Sequence, residues 1–350
     1  MKRRRKILFA ALAATLSTVA ITVIVAGGTE VALRSVDKPP NDYTTVTWGQ
    51  RVRKNSLGFR EREVTAKAAG VYRIMVLGDS LTWGAGLAER ERYTWLLQLH
   101  LQAKLNSQDI EVLNFALPGA PTTHERDVLL KHIDATAPDL VVVGWCMNDT
   151  QPRDQDWCPE REVFNRKLDR LRAIGLKEVA GKAYYLGPDW IDALDRTYQP
   201  GSPEWQAFES ALADIAAACR ERSLPAPVLA LLIQGNGDFA NPDRHLSKVL
   251  EWSRKSATSA ERSGFITVSM EAAFRAEGSR NRWVNPWDGH PDAQCNRVYA
   301  EELAKAAAPI ITKGIQLRTK TASKCSSIQR RPTARTGRLI PGTSPANIAK

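Results

Sequence analysis

The sequence predicts an α/β fold: five parallel strands in one sheet, with helices over both faces. Three observations predict it. Short runs rich in Val, Ile and Leu recur through the middle of the chain, amphipathic stretches of helical length separate them, and the runs end on small or polar residues. Parallel strands need a crossover rather than a tight turn, and strands covered on both faces read as continuous apolar runs instead of alternating ones.

The elements follow in order. YRIMVLGD (72–79) is the first strand, and RERYTWLLQLHLQAKL the helix after it. EVLNFAL (111–117) is the second strand, followed by HERDVLLKHIDATA. DLVVVGW (139–145) is the third. PEWQAFESALADIAAACRER leads into the fourth, VLALLIQ (228–234), and HLSKVLEWSRKSATSAER into the fifth, FITVSM (265–270). DAQCNRVYAEELAKAAAPII is the last helix. Crossovers of this length between parallel strands are right-handed. Residues 150–203, with Trp157, Pro159 and a basic helix, exceed what one crossover needs and are expected as an insertion near the candidate site.

The flanks differ from this body, which spans 72–312. The net charge is +11, but five Lys/Arg lie at positions 2–6 and nine more between Lys313 and Lys350, where no acid occurs. Those fourteen exceed the total, so the body is slightly acidic and a nucleic-acid partner is excluded. After the basic residues 1–6 come 23 uncharged residues, 7–29. As a helix they span roughly 34 Å, enough for a ~30 Å bilayer core and longer than the ~7–15 residues of a signal h-region. An uncleaved signal-anchor is the favoured reading; Ala26 and Gly28 keep a cleaved, secreted form open. The basic excess before the span places the N-terminus in the cytoplasm and the body outside. Residues 30–71 read as a juxtamembrane linker that packs onto the body. Residues 313–350, rich in Ser, Thr, Pro, Lys and Arg, read as a disordered tail. Its charge suits an anionic polymer or lipid surface. Cys146, Cys158, Cys219, Cys295 and Cys325 form no C-x-x-C pair, so no metal site is expected. An oxidising compartment would admit one or two disulfides and leave a thiol over.

In an open α/β sheet, ligands bind at the carboxyl ends of the strands. Ser80 follows the first strand, Gly119 in NFALPGA the second, and Asn148 in GWCMNDT the third. Asp288 and His290, in NPWDGHPD, come after the fifth strand and before the last helix. A serine hydroxyl needs a base to become a nucleophile, and His290 is the candidate. A carboxylate that fixes the imidazole tautomer is the task for Asp288. The Ser80 and Gly119 N–H groups and the Asn148 amide are candidate oxyanion donors. Asp79 and Asp149 read as structural, and His100, His124, His132 and His245 as surface residues. Trp83, Trp145, Trp283 and Trp287 sit beside these blocks, either as pocket wall or as core.

With GDSL at 78–81, Gly119, Gly144-x-x-x-Asn148-Asp149 and Asp288-Gly289-His290 in order, the chain resembles the GDSL, or SGNH, family of serine ester hydrolases. The likeness covers roughly 72–312, and NSLGFRERE ahead of it resembles membrane-anchored bacterial members. It implies a flavodoxin-like three-layer α/β/α sandwich. It also implies ester hydrolysis through an acyl-serine intermediate, with no cofactor and a lipid or O-acylated glycan as substrate. Transfer of the acyl group to an envelope glycan is the alternative, and a catalytically silent surface-binding module is a third reading. Two departures stand out. The family's commoner spacing is Asp-x-x-His, although DGHP variants occur in it. Cys295 and Asn296 replace the small residue and histidine often found after HP, a difference that falls on helix packing.

Overall fold

The computed structural model describes residues 2–36, 44–152, 158–184, 187, 190–278, 282–285 and 288–329. The uncharged N-terminal run lies within one helix, α1 (Lys2–Val36), of which Arg4–Arg34 is long and apolar enough to cross a membrane. Its large side chains, Leu8 and Phe9 among them, are exposed. An antiparallel hairpin follows, β1 (Thr44–Thr47) and β2 (Gln50–Arg53). Its turn, Trp48–Gly49, has positive φ at both positions (+48° and +80°), the arrangement whose twist suits a two-residue hairpin.

The body then alternates strand and helix: β3 (Tyr72–Gly78), α2 (Ser80–Trp83), α3 (Tyr93–Leu105), β4 (Ile110–Asn114), α4 (Thr122–Thr136) and β5 (Leu140–Trp145). The stretch 150–203 supplies α5 (Pro159–Ala173), α6 (Lys177–Tyr184) and α7 (Ile191–Thr197). Next come α8 (Pro203–Glu221), β6 (Val228–Leu231), α9 (Arg244–Ser263), β7 (Ile266–Ser269) and α10 (Glu271–Glu277). A two-stranded ribbon, β8 (Trp283–Asn285) and β9 (Asp288–Pro291), leads into α11 (Ala293–Gln329).

The five predicted strands form one parallel sheet in the order β4-β3-β5-β6-β7. The chain steps outward from β3 to β4, then crosses back beside β3 as β5. Such a reversal, at the carboxyl ends of the strands, is where open α/β sheets place their ligand crevice. Every residue of β3 and β5 is buried, which explains their unbroken apolar runs. The second strand is shorter than predicted because Asn114 turns the chain: its Oδ1 accepts from Ala116 N at 2.9 Å and its Nδ2 donates to Thr82 O at 2.6 Å. β4 is an edge, and side chains occupy its outward groups. Val112 N donates to Gln98, Asn114 N to Glu61, and Gln102 donates to Ile110 O.

The flanks are more structured than their composition suggests. Residues 30–71, expected as a linker, hold the hairpin and a tightly bonded segment at 55–63. Asn55 Oδ1 accepts from Leu57 N and Phe59 N, and Phe59 packs into the main core. The disorder expected from 313 does not begin there, because α11 continues to Gln329. Ala, Lys, Gln and Leu sustain a helix at little entropic cost, and Arg318 anchors this one by pairing with Asp139 over the Tyr72 ring. Positions 330–350 lie outside the described residues. The start of α6 is joined to α1: Glu30 accepts from Glu178 N (3.1 Å) and Val179 N (2.9 Å), and Arg34 donates to Gly175 O.

Cys146, Cys219 and Cys295 are free, buried thiols, so none of these forms the disulfide that an oxidising compartment would admit, and Cys158 is buried. His132 is not a plain surface residue: it sits half-buried, edge-on to Phe59, and burial lowers its pKa. His100, His124 and His245 are partly exposed. Asn296, at the family departure, is buried and its Oδ1 accepts from Tyr93 N at 3.0 Å, capping α3 from α11.

Candidate active site

Ser80 stands where β3 ends. Asp79 caps the short α2, its Oδ1 accepting from Leu81 N at 2.9 Å, and its Oδ2 takes the Ser80 hydroxyl at 3.2 Å. Asp79 is fully buried, and burial outweighs these bonds to raise its pKa. The turn is tight because two glycines admit Thr82 between β3 and β5. A Cβ on Gly78 would lie 2.1 Å from Thr82 Oγ1, and one on Gly144 would lie 2.3 Å from it. Thr82 Oγ1 itself meets the Tyr93 hydroxyl at 2.9 Å. The first letter of GDSL is therefore a packing requirement, and the third presents a half-buried hydroxyl at the crevice.

The segment at 55–63 holds this turn from below. The buried Arg60 guanidinium donates to Gly84 O and Leu87 O at 2.6 Å each and to Trp83 O at 3.3 Å. Those carbonyls lie at and just after the end of α2, where intrahelical partners run out; Gly84 O also accepts from Leu87 N at 3.2 Å. Trp83 packs with Val52 of the hairpin and with Ala116. It is core, as is the fully buried Trp145; Trp283 is 44% exposed, and Trp287 lies outside the described residues.

Gly119 and Asn148 sit on the loops that flank this turn. Leu117 N donates to Gly78 O at 3.1 Å, drawing the loop after β4 against the end of β3. Gly119 is exposed, with φ +70° and nothing near its missing Cβ, so the backbone conformation, not crowding, favours glycine there. Asn148 is half-buried in a turn closed by Asp149 N donating to Cys146 O at 3.1 Å. Thr122 ties the two loops together: its N–H donates to Asp149 O (3.1 Å) and its hydroxyl to Asp149 Oδ2 (3.0 Å). From the insertion side, Tyr198 donates to Met147 O at 3.0 Å, and the Thr150 and Thr197 hydroxyls meet at 2.7 Å. Asp149 is thus structural, as expected.

His290 arrives on β9 from the far end of the chain. Its Nε2 lies 2.8 Å from Ser80 Oγ, and its Nδ1 meets Asp288 Oδ1. The His290 backbone N–H donates to the same Oδ1 at 3.0 Å, so the two-residue spacing closes a local turn that aims the acid at the ring. Burial pulls the His290 pKa down, but Asp288, with the charge of Asp79 behind it, more than offsets this and leaves the pKa raised. Burial pushes Asp288 up, and the His290 bonds and a bond from Trp48 outweigh it, leaving the acid lowered. Asp288 is ionised at neutral pH.

Three features of the site escape sequence reading. Arg60 lies inside NSLGFRERE, a stretch that only family likeness brings forward. Trp48 donates to Asp288 Oδ2; its signal is the pattern TTVTWGQRVR, a β-branched run and an alternating QRVR around a two-residue turn. The third is Glu125, buried beside Asp79 and Asp149, with neither carboxylate oxygen in a standard hydrogen bond. Burial and the two neighbouring acids push its pKa well above the carboxylate range. Among the described residues no cluster of His, Cys, Asp and Glu could hold a metal ion.

Residues 76–298, more than half of the chain, match the GDSL-like Lipase/Acylhydrolase family. No curated protein sequence matches. Solved structures similar to this chain include a mutant of Axe2, an acetyl-xylooligosaccharide esterase from Geobacillus stearothermophilus. It is 16% identical, with 69% of this chain and 95% of that one covered and a TM-score of 0.43. LAE5, an alpha/beta hydrolase enzyme from the metagenome of Lake Arreo, Spain, is 18% identical, covering 69% and 97% with a TM-score of 0.43. TesA is 16% identical, covering 68% and 99% with a TM-score of 0.42. With its motif blocks at the carboxyl ends of a five-stranded parallel sheet, the chain belongs to the GDSL-like lipase/acylhydrolase family, hydrolases that act on ester bonds.

Proposed function

We propose that the protein is a serine esterase in which Ser80 is the nucleophile, His290 the base and Asp288 the acid that orients it. The observation that carries this is the unbroken line from Ser80 Oγ, 2.8 Å from His290 Nε2, through the imidazole to Asp288. Neutral His290 removes the Ser80 proton as Oγ attacks the ester carbonyl carbon. The carbonyl π electrons move onto oxygen, which the Ser80 and Gly119 N–H groups and the Asn148 amide stabilise. The tetrahedral intermediate collapses, the imidazolium protonates the departing alkoxide, and an acyl-Ser80 ester is left. Water, deprotonated by His290, then attacks that ester; the second intermediate breaks its bond to Ser80 Oγ, the imidazolium returns the proton to Oγ, and the acid is released. None of these steps needs a cofactor. The substrate is a lipid ester or an O-acylated glycan.

In this reading the catalytic unit is 72–312, held outside the cytoplasm by α1 as a single-pass anchor. The basic residues before the span favour that orientation. A panel of p-nitrophenyl esters of rising acyl length, run on the full chain in detergent micelles, tests the assignment. Turnover of at least one ester that Ser80→Ala abolishes is the expected result. Turnover that survives Ser80→Ala would overturn it.

A further inference from the structure

We propose that Trp48, on the hairpin that precedes the body, is a positioning residue that fixes the Asp288 carboxylate; this rests on the roles given above to Ser80, His290 and Asp288. Asp288 Oδ1 is taken by His290, through its backbone N–H and its ring Nδ1. Oδ2 accepts from Trp48 Nε1. A carboxylate tied at one oxygen can still rotate about its Cβ–Cγ bond; tied at both, it cannot. The indole N–H is a donor only, so it serves the ionised acid and never competes for the His290 proton.

The placement of Asp288 favours such a partner. Its strand β9 pairs with β8 in a ribbon of two strands, separate from the five-stranded sheet, and a two-stranded ribbon is marginal by itself. Trp48, in contrast, projects from a supported base. Thr47 Oγ1 accepts from Gly86 N at 2.9 Å, joining the hairpin to the loop behind the nucleophile. Val52 packs on Trp83 and Ala116. The ammonium of Lys182 lies 4.0 Å from the Trp48 ring centroid, so α6 holds the ring from another side. Trp48 also keeps φ +48°, a region bulky residues seldom occupy and one that a tryptophan holds only where its surroundings determine it. The hairpin therefore touches the nucleophile's helix, the loop bearing Gly119 and the acid at once.

Trp48→Phe in the full chain tests this, since it keeps an aromatic ring against Lys182 and deletes only the donor. The expected result is a fall of about tenfold in kcat, the usual scale for losing a partner that orients a site residue, with KM within about twofold. The rate of Ser80 labelling by a fluorophosphonate should fall in step. In an Asp288→Asn background the same substitution should change the labelling rate by less than about twofold, because the group it acts through is already lost. An unchanged kcat, a rise in KM alone, or an equal fall in both backgrounds would overturn the proposal, and the last would also expose a mere loss of folding. If Ser80 of the parent takes no label, the esterase reading itself fails. If Ser80 labels equally in parent and Trp48→Phe, only the role of Trp48 fails.

Discussion

Gly78→Ala puts the smallest side chain at the end of β3. Its Cβ would lie 2.1 Å from Thr82 Oγ1, 2.5 Å from Thr82 Cβ and 3.0 Å from its Cγ2, at a φ of +157°. Ordinary contact begins near 3.4 Å, so Thr82 must retreat by about 1 Å. Rotating its side chain cannot achieve this, because the Cβ itself is too close. Thr82 Oγ1 is also held by the Tyr93 hydroxyl at 2.9 Å. The displacement therefore passes into α2 and carries Ser80 with it. Overpacking of this kind costs ~1–3 kcal/mol or more, which lowers the melting temperature by roughly 2–12 °C in a domain of this size. A displacement of ~1 Å in a reacting group costs about 10² in rate. Thermal melts of the full chain in micelles, with kcat on the best ester of the panel, measure both. Gly119→Ala is the control: φ is +70° but the space is open, so only ~1–2 kcal/mol of backbone strain is expected. A Gly78→Ala protein that melts within about 1 °C of the parent and keeps kcat within about threefold would refute this account of the turn.

Asn148→Ala should fold normally and lose ~10²–10³ in kcat, the loss typical of one oxyanion donor; a change under about threefold would leave Asn148 as a turn residue. The pH profile of kcat/KM reports His290 in the free enzyme. Only the neutral ring accepts the Ser80 proton, and its pKa is raised, so activity should fall with acidification through one ionisation above the ordinary histidine value of ~6.5. A limb below that value would contradict the Asp288 contact. Glu125 tests the buried acids. Its folded pKa is raised above the unfolded one, so the stability linked to its protonation is fully present below about pH 4 and lost as pH rises toward the folded pKa. Glu125→Gln does not incur that loss. The melting temperature of Glu125→Gln relative to the parent should therefore climb from about pH 5 to about pH 8, and a gap independent of pH would refute the reading.

The sheet was legible because its strands are buried on both faces. Runs such as VVVGW leave no ambiguity of period, and their ends fall where Gly78, Asn114 and Trp145 place them. Ser80, Gly119, Asn148, Asp288 and His290 were legible because strand ends are where such a sheet collects ligands, and the five recur in family order. What was not legible is long-range support. Nothing local to Trp48 says that its indole meets an acid 240 positions away, or that Arg60 closes the turn behind Ser80. Composition also misled in the tail, because Lys and Arg suit disorder and helix alike. The helix from 313 to Gln329 continues one already docked on α3.

The central claim is that Ser80 is the nucleophile, activated by His290. Its most direct test is fluorophosphonate labelling of the full chain with the modified residue located by peptide mapping. The account predicts one labelled site, Ser80, with labelling abolished by Ser80→Ala and nearly so by His290→Ala. The double variant should turn over ester hardly more slowly than either single one, because the two act as a unit. Label on another serine in the Ser80→Ala protein, at the parent's rate, would contradict it.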